Sequence, residues 1–255
     1  MRSASDKVNT TQEEWAKMKF SRIAALAVCA LLSAAMMAAD GTVKGSVKYD
    51  GEPPVVEKKK IDPAKLGGCP HAEVDTDTLV VDKATKGIKW AMVRIMGVKA
   101  PEPKEPFPVP TMDQKGCKFE PHALIVPPGT DVKLLNPDKI GHNFHTTPLD
   151  ATNPGFNRMM PPTDDVMNVK GSKYFVEPEV IKVQCDIHPW MTAFILVHDP
   201  RFAAITPADG SFEIKNVPPG KYDVVIFHEL GEQTVKVEVK DGAVADVGEI
   251  KFKQK

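Results

Sequence analysis

Short runs of alternating apolar and polar residues, separated by prolines and glycines, restrict the fold of this chain more than any other feature of its sequence. The 23 prolines and 17 glycines supply turns such as DGEPP, PPGTD and PPGK. No stretch combines a helical period with capping residues, so we predict an all-β protein. The predicted strands lie in TVKGSVKYD (42–50), HALIVPPGTDVKLLN (122–136), VIKVQCD (180–186), SFEIKNV (211–217), KYDVVIFHE (221–229) and TVKVEVK (234–240).

Two segments are predicted to be long loops between these strands. Residues 100–111, APEPKEPFPVPT, carry five prolines, which favour an extended, unpaired backbone. Residues 150–165, DATNPGFNRMMPPTDD, show no strand alternation and are expected to be irregular. Near residues 199–201 the pattern changes to short strands with tight turns, which predicts a domain boundary there.

Residues 18–39 are typical of a secretory signal peptide. Lys19 and Arg22 precede an uncharged apolar run at 23–39, which is shorter than the roughly 20 residues of a membrane span. We predict that residues 1–39 are removed by cleavage after Ala39. Met18 is an alternative start, because residues 1–17 contain acidic residues that suit neither a signal nor a fold. The mature chain is then expected to be periplasmic or otherwise exported, without a membrane span.

The charge of the mature chain argues against nucleic acid as a partner. Removal of residues 1–39 leaves 28 of the 33 Lys and Arg residues and 31 of the 34 Asp and Glu residues, a net charge of −3. Neither a basic domain nor a polybasic membrane patch is present in the sequence. The remaining 216 residues are enough for one large β domain or two small ones.

In CDIHPWM a thiol, an imidazole and a thioether follow one another at intervals of three residues. Cys185 follows a predicted strand, and Pro189 prevents regular strand pairing, so residues 185–191 are predicted to form a loop. In a loop, Cys185, His188 and Met191 can converge on one point, which a straight strand would not allow. Such a set is typical of a blue-copper site, which needs a second histidine. Alternatively, Cys185 is a small buried apolar residue and Met191 part of the core.

The second histidine is expected in GHNFH, at His142 or His145. Together with CDIHPWM, this segment resembles the cupredoxins, the blue-copper family that includes amicyanin and plastocyanin, and the likeness covers residues 120–198. The resemblance implies a cupredoxin-like Greek-key β-sandwich with one type 1 copper ion. It also implies that the backbone of Asn143 steadies the thiolate and joins the two loops. The implied copper ligands are His142, Cys185, His188 and Met191, with His145 as second choice for the first histidine.

The resemblance implies a carrier of single electrons rather than an enzyme. The seven histidines of the chain are not arranged to supply a second copper set. His188 would be the electron exit, and Pro189 and Trp190 would form an apolar surface for a redox partner such as a c-type cytochrome or a periplasmic dehydrogenase. Two alternatives remain open at this point. One is a copper storage or delivery protein, and the other is a non-metallated interaction or surface protein.

If Cys185 binds copper, the two remaining cysteines of the mature chain are expected to pair. Cys69 and Cys117 would lie in an oxidising compartment, where exposed thiols are a hazard. Both follow glycine, in GGCPH and KGCKF, within turn-rich sequence that can bring them within bonding distance. We therefore predict a Cys69–Cys117 disulfide; the alternative is two buried free thiols.

The C-terminal stretch ITPADGSFEIKNVPPGKYDVVIFHE resembles the carboxypeptidase-regulatory-like (transthyretin-like) modules, small β-sandwiches without a cofactor. Asp209-Gly210 is predicted to form a hairpin turn, and Phe212 and Ile214 to face a core. With the amicyanin likeness, the whole resembles exported proteins described as methylamine-utilisation-like. The sequence thus predicts a copper domain at 40–199 and a transthyretin- or Ig-like module at 200–255. Residues 41–54 resemble the first strand of that module, which would make the module discontinuous, with the copper domain inserted in it.

Overall fold

The computed structural model of the protein describes residues 39–54, 58–61, 68–69, 73–74, 78–99, 101–162 and 166–254. The predicted signal segment, except for its last residue, lies outside these ranges, as does His71. Within them, the protein is built almost entirely of strands, which confirms the expected all-β class. A four-residue helix, α1 (Gly171–Tyr174), and a 3-10 turn, Pro200–Phe202, are the helical elements of this part of the chain. None of the helices in the described ranges has the length and apolar character needed to cross a bilayer.

The larger of two β-sandwiches encloses the main core. Its five-stranded sheet has the order β10-β9-β12-β13-β7, in which β13 and β7 are parallel. Its four-stranded sheet has the order β11-β8-β5-β6. The strands of this sandwich are β5 (Thr111–Gln114), β6 (Phe119–Glu120), β7 (Ala123–Val126), β8 (Val132–Leu135), β9 (His142–Pro148), β10 (Phe156–Met160), β11 (Val166–Val169), β12 (Val180–Gln184) and β13 (Thr192–Val197).

The alternation of side chains along each strand explains how this core is filled. On β8, Val132 and Leu134 point into the space between the sheets, where they meet Ile181 and Val183 of β12. The central strand β13 is buried on both faces: Ala193, Ile195 and Val197 enter this core, while the alternate residues enter a second cluster. That two-sided burial accounts for the continuous apolar run of residues 193–197.

The smaller sandwich is assembled from distant parts of the chain. One sheet has the order β15-β1-β18 and the other β14-β4-β16-β17. A separate two-stranded sheet pairs β2 with β3. The strands of these sheets are β1 (Gly41–Tyr49), β2 (Lys59–Lys60), β3 (Glu73–Val74), β4 (Met92–Met96), β14 (Ala203–Ile205), β15 (Ser211–Val217), β16 (Gly220–His228), β17 (Gly231–Val239) and β18 (Val244–Phe252).

The smaller sandwich takes strands from both sides of the expected boundary near residues 199–201. Strand β4 lies before residue 100, yet it pairs with β14 and β16, and β1 lies between β15 and β18. The physical reason is the burial of apolar side chains. The core around Phe212 also contains Val43 and Val47 of β1 and Val93 and Ile95 of β4. The larger sandwich is therefore inserted between β4 and β14.

One predicted loop contains a strand. Residues 156–160 form β10, which pairs with β9 at the edge of the five-stranded sheet, so the expectation that 150–165 is irregular was wrong in its second half. Its side chains are mostly exposed, with only Met160 fully buried, which hides the alternation expected of a strand. In contrast, residues 101–110 contain no strand, as five prolines predict.

Contacts between the two sandwiches are both apolar and charged. Met92 of β4 packs with Phe194 and Leu196 of β13. His122, which precedes β7, lies 3.0 Å from the Glu229 carboxylate through its Nε2 atom. Because its Nδ1 atom also lies 3.1 Å from the carbonyl of Thr192, His122 joins the smaller sandwich to the first residue of β13.

Lowering the pH from 7 to 4 is expected to destabilise the metal-free protein through His228. This residue is 4% exposed, and its Nδ1 atom accepts a hydrogen bond from the Leu230 N–H. Burial, aided by the charge of His122, lowers the pKa of His228 to about 4. The neutral imidazole is thus favoured in the folded state, and its stabilising contribution is present above the unfolded pKa of about 6.5 and lost as the pH falls towards 4.

The expected loss is about 3 kcal/mol of unfolding free energy, from the size of the pKa shift. Urea denaturation at pH 7 and at pH 4 measures it, and His228→Gln is the matched variant because an amide does not titrate. The variant should lose clearly less stability over this interval than the wild type. An unchanged pH dependence in the variant would show that other groups cause it.

Candidate metal centre

Strand pairing brings His142 and Cys185 together. Strand β12 runs antiparallel to β9, with Gln184 opposite His145. The end of β12 therefore lies beside the beginning of β9, where His142 is the first residue. Cys185 follows β12 directly, so its side chain reaches the same end of the sandwich as the imidazole.

The loop between β12 and β13 folds back on itself. The Cys185 N–H donates to the Met191 carbonyl at 3.1 Å, and the Met191 N–H donates to the His188 carbonyl at 2.8 Å. These bonds close a turn around Pro189, in agreement with the predicted loop at 185–191. They place the His188 imidazole against the side chains of Cys185 and His142.

The ligand atoms of His142, Cys185 and His188 converge in the interior. The Nδ1 atoms of the two imidazoles lie 3.0 Å apart, and the Cys185 sulfur lies 3.7 Å from His188 Nδ1. One ligand atom from each residue falls within 4.8 Å of the others. The three residues are 0 to 1% exposed. Two imidazole nitrogens and a sulfur directed at one enclosed point form a set suited to copper or another soft to borderline metal.

Met191 lies in the same core as Cys185 and Trp190 and is 1% exposed. Its backbone is fixed by the two hydrogen bonds of the turn, so its side chain enters the sandwich from the start of β13. A thioether is a weak ligand, which suits the axial role expected for Met191.

Asn143 connects the two segments that carry the ligands. Its backbone N–H points at the Cys185 sulfur at 3.5 Å, and its side-chain oxygen accepts the Asp186 N–H at 2.7 Å. Its side-chain amide donates to the Asp186 carboxylate at 2.8 Å. This is the arrangement that the family resemblance implied for Asn143. The side chain of Asn143 thus holds the loop against β9, with its backbone N–H directed at the sulfur.

The structure separates His145 from the other candidate ligands. It lies three residues after His142 on β9, hence on the opposite face of the strand. Its Nδ1 atom lies 2.9 Å from the Asp186 carboxylate, and its side chain is 34% exposed. Hydrogen bonds from His145 and then Gln184 hold the pKa of Asp186 well below its usual value. His145 therefore helps to fix the residue next to Cys185 and does not face the three ligand atoms.

The His142→Ala and His145→Ala variants are expected to differ sharply. His142→Ala removes one of three converging ligand atoms, so the copper-dependent visible absorption should disappear. His145→Ala removes only a hydrogen bond on the outer face and should retain the absorption at near wild-type intensity. Visible spectra of the two purified variants after addition of one equivalent of Cu(II) make the comparison. Loss of the absorption in His145→Ala with retention in His142→Ala would reverse the assignment.

Sequence analysis missed Asp138, the residue that holds the far side of His142. Its carboxylate accepts a hydrogen bond from His142 Nε2 at 3.0 Å and is 17% exposed. Burial would raise the pKa of Asp138, but hydrogen bonds from the Cys117 and Gly116 N–H groups and from His142 outweigh it and lower that pKa. Burial also lowers the pKa of His142, which the bond to Asp138 offsets only in part. Both shifts favour a neutral imidazole beside a carboxylate, and a neutral imidazole is the form that binds metals.

Cys69 and Cys117 form a disulfide next to this site. The Cys117 sulfur lies within 4.8 Å of ligand atoms of Asp138 and His142, so the three residues resemble a second metal site. A metal would need a thiolate from Cys117, and the disulfide removes it. The group is therefore a structural support for His142 in the oxidised protein.

The expectation that Trp190 forms part of an apolar surface was wrong, and His188, the expected electron exit, is buried as well. His188 is 0% exposed and Trp190 6%, with their ring centroids 5.2 Å apart. The indole N–H donates to the Cys117 carbonyl at 3.2 Å, so the disulfide-bonded turn holds this ring inside. Of the apolar residues in the loop, Ile187 at 39% and Pro189 face solvent, next to the exposed Asp186. The apolar surface next to the site is thus formed by Ile187 and Pro189.

Comparison with known proteins gives no family match from sequence. No protein-family model matches the chain, and neither does any curated protein. Among solved structures, the chain is similar to the copper-containing nitrite reductase of Thermus scotoductus SA-01, with 24% identity over 40% of this chain and a TM-score of 0.30. The chain spans only 25% of that reductase.

Two smaller copper proteins are matched over nearly their whole length. A Cu(I) form of an amicyanin variant shows 18% identity over 42% of this chain and 98% of its own, with a TM-score of 0.31. A purple cupredoxin from Nitrosopumilus maritimus shows 23% identity over 35% of this chain and 99% of its own, with a TM-score of 0.28. Because these TM-scores and identities are low, the function proposed below depends on the residues of the site itself.

Proposed function

We propose that this protein is an exported mononuclear type 1 copper protein that carries single electrons between redox partners. His142, Cys185 and His188 would hold the copper ion, and Met191 would be the weak axial ligand. The observation that carries the proposal is the convergence of two imidazole Nδ1 atoms and one sulfur in an enclosed site. A thiolate with two imidazoles and a distant thioether is the ligand set that defines such sites.

The surroundings of the three ligands support this proposal. The two imidazoles direct their Nδ1 atoms at each other and share one buried space with the Cys185 sulfur. The Asn143 N–H points at the Cys185 sulfur, and Asp138 holds His142 with its Nδ1 directed inward. Copper in such a site supplies reversible one-electron chemistry. The task of these residues is to hold the ligands in place and to exclude water.

Burial also favours electron transfer over the storage or delivery of copper. Ligands that are 0 to 1% exposed, with His142 held by Asp138 beside a disulfide-bonded turn, disfavour rapid exchange of the ion. The same enclosure leaves a substrate no direct access to the three ligand atoms, so we also propose that the protein is not an enzyme. Preorganised ligands change little between oxidation states, which suits a carrier of electrons.

A redox protein such as a c-type cytochrome or a periplasmic dehydrogenase is the proposed class of partner. Ile187 and Pro189 are exposed in the ligand loop. Ile187 is two residues after Cys185, and Pro189 directly follows His188. A small apolar contact of this kind suits the brief association of redox partners. The smaller sandwich would be a carboxypeptidase-regulatory-like module that serves as a scaffold. Its core consists of apolar residues, and no role in the copper site is assigned to it.

A redox titration combined with a metal-exchange assay tests the proposal. The copper-loaded protein should be reduced and reoxidised repeatedly, without loss of metal, in a one-electron process. A Cu(I) chelator in excess should remove the copper slowly. Rapid loss to the chelator would favour storage or delivery instead. Failure to bind copper at all would leave an interaction protein without a metal.

A further inference from the structure

We propose that Asp138 is a positioning residue that fixes the tautomer of His142 and couples the copper site to the Cys69–Cys117 disulfide. The inference rests on the proposed copper function and names the residues that would set the properties of that site. Asp138 does not face the ligand atoms Cys185 Sγ and His188 Nδ1. Its influence would pass through the imidazole of His142.

Three donors hold the Asp138 carboxylate. One oxygen accepts the Gly116 N–H at 2.9 Å, and the other accepts the Cys117 N–H at 2.8 Å and His142 Nε2 at 3.0 Å. With its side chain 17% exposed, the carboxylate has little room to turn towards water. Its position is thus set by the backbone of residues 116–117, and it sets the position of the imidazole in turn.

The turn that carries the two backbone donors is a tight hairpin between β5 and β6. Gly116 and Cys117 have φ angles of 62° and 57°, and Lys115 and Lys118 exchange backbone hydrogen bonds at 3.0 and 3.3 Å. Two successive residues with positive φ define a type I′ turn. In this turn both central N–H groups point to the same carboxylate, and Cys117 is also the residue that the disulfide ties to Cys69.

The Asp138 contact decides which nitrogen of His142 is available to a metal. An ionised carboxylate only accepts hydrogen bonds, so His142 must carry its proton on Nε2. Its Nδ1 then keeps a lone pair, directed at His188 Nδ1 and towards the Cys185 sulfur. An acceptor that holds the other nitrogen of a ligating imidazole in this way also makes the imidazole a better ligand.

The same turn also contacts the other side of the site. The Cys117 carbonyl accepts the indole N–H of Trp190 at 3.2 Å, and that ring packs on His188 with centroids 5.2 Å apart. The hairpin turn at 115–118 therefore supports both imidazoles, one through Asp138 and one through Trp190. Opening the disulfide would loosen this turn and, through it, both ligands.

The Asp138→Asn variant tests the proposal, with Asp131→Asn as its matched control. An asparagine has one acceptor oxygen and one NH2 group, so it cannot accept from both backbone N–H groups and from His142 together. Asp131 also accepts a backbone N–H, that of Gly171, and pairs with Lys170, but it does not contact the site.

We expect Asp138→Asn to bind Cu(II) about 10- to 100-fold more weakly than the wild type, the usual effect of losing such a partner. The reduction potential should rise, because a less basic imidazole weakens the binding of Cu(II) more than the binding of Cu(I). Each tenfold preferential loss of Cu(II) affinity corresponds to about 59 mV. Asp131→Asn should match the wild type in both quantities. Wild-type affinity and potential in Asp138→Asn would overturn the proposal.

The tautomer can be measured on the metal-free wild type, independently of copper binding and of any variant. Long-range proton–nitrogen NMR spectra of protein labelled with 15N-histidine should show His142 protonated on Nε2 and not on Nδ1. A proton on Nδ1 would overturn the inference even if copper binds. If the wild type binds no copper, the proposed function fails, while the NMR result still decides the role of Asp138.

Discussion

Replacing Cys185 by alanine is expected to abolish the intense visible absorption of the copper-loaded protein and to weaken copper binding more than any other single change. The thiolate is the ligand from which charge transfer to Cu(II) gives the colour. The two imidazoles that remain would bind the ion weakly. We expect the Cu(II) affinity to fall more than 100-fold. Removing a residue that only hydrogen-bonds to a ligand lowers metal affinity by roughly 10- to 100-fold. Visible spectroscopy and equilibrium dialysis with Cu(II) measure both effects.

The effect of Cys185→Ala on folding is expected to be small by comparison. The side chain is 1% exposed and small, so its truncation leaves only a minor gap in the core. Metal-free variant and metal-free wild type should therefore unfold within about 1 kcal/mol of each other, the ordinary effect of a point substitution. A coloured copper complex in a folded Cys185→Ala protein would mean that Cys185 is not a ligand.

Removing the disulfide is the change expected to destabilise the fold most. Cys69 and Cys117 are 48 residues apart in the chain, and closing a loop of that length stabilises the folded state by about 4 kcal/mol in the chain-entropy model. Both residues are at most 3% exposed, so alanine is the substitution that leaves no polar group buried. Denaturant unfolding of the metal-free Cys69→Ala/Cys117→Ala double variant measures the loss.

Wild-type protein with and without a reducing agent is the matched control. The double variant should resemble the reduced wild type in stability, with the oxidised wild type well above both. A stability loss under about 1 kcal/mol in the variant would show that the disulfide contributes little to the fold. It would also weaken the case that it supports the turn at 115–118.

The ligand loop could be predicted from the sequence because the residues that define it lie close together in the chain. Three residues in Cys185–Met191 are spaced for convergence in a loop, and Pro189 rules out a strand. Asp138 could not be anticipated, since its role depends on a hairpin turn some twenty residues earlier whose N–H groups point at the carboxylate. Its spacing of four residues before His142 was the only local signal, and it has no meaning without a helix.

Strand alternation predicted most of the fold but not how its parts combine. The apolar residues of β4 alternate as those of any strand do, so the pattern does not reveal that Val93 and Ile95 share a core with Phe212. The burial of Trp190 likewise depends on a contact with the Cys117 carbonyl, which is distant in the sequence. An edge strand such as β10 escapes recognition because most of its side chains are exposed.

X-ray absorption at the copper edge, recorded on the wild type loaded with one equivalent of copper, tests the central claim most directly. The account predicts a first shell with one sulfur and two imidazole nitrogens, from Cys185, His142 and His188. The contribution of the thiolate sulfur should be absent in Cys185→Ala, and the weakly bound Met191 thioether would not replace it. A shell of nitrogen and oxygen alone in the wild type, with no sulfur, would contradict the proposed copper site.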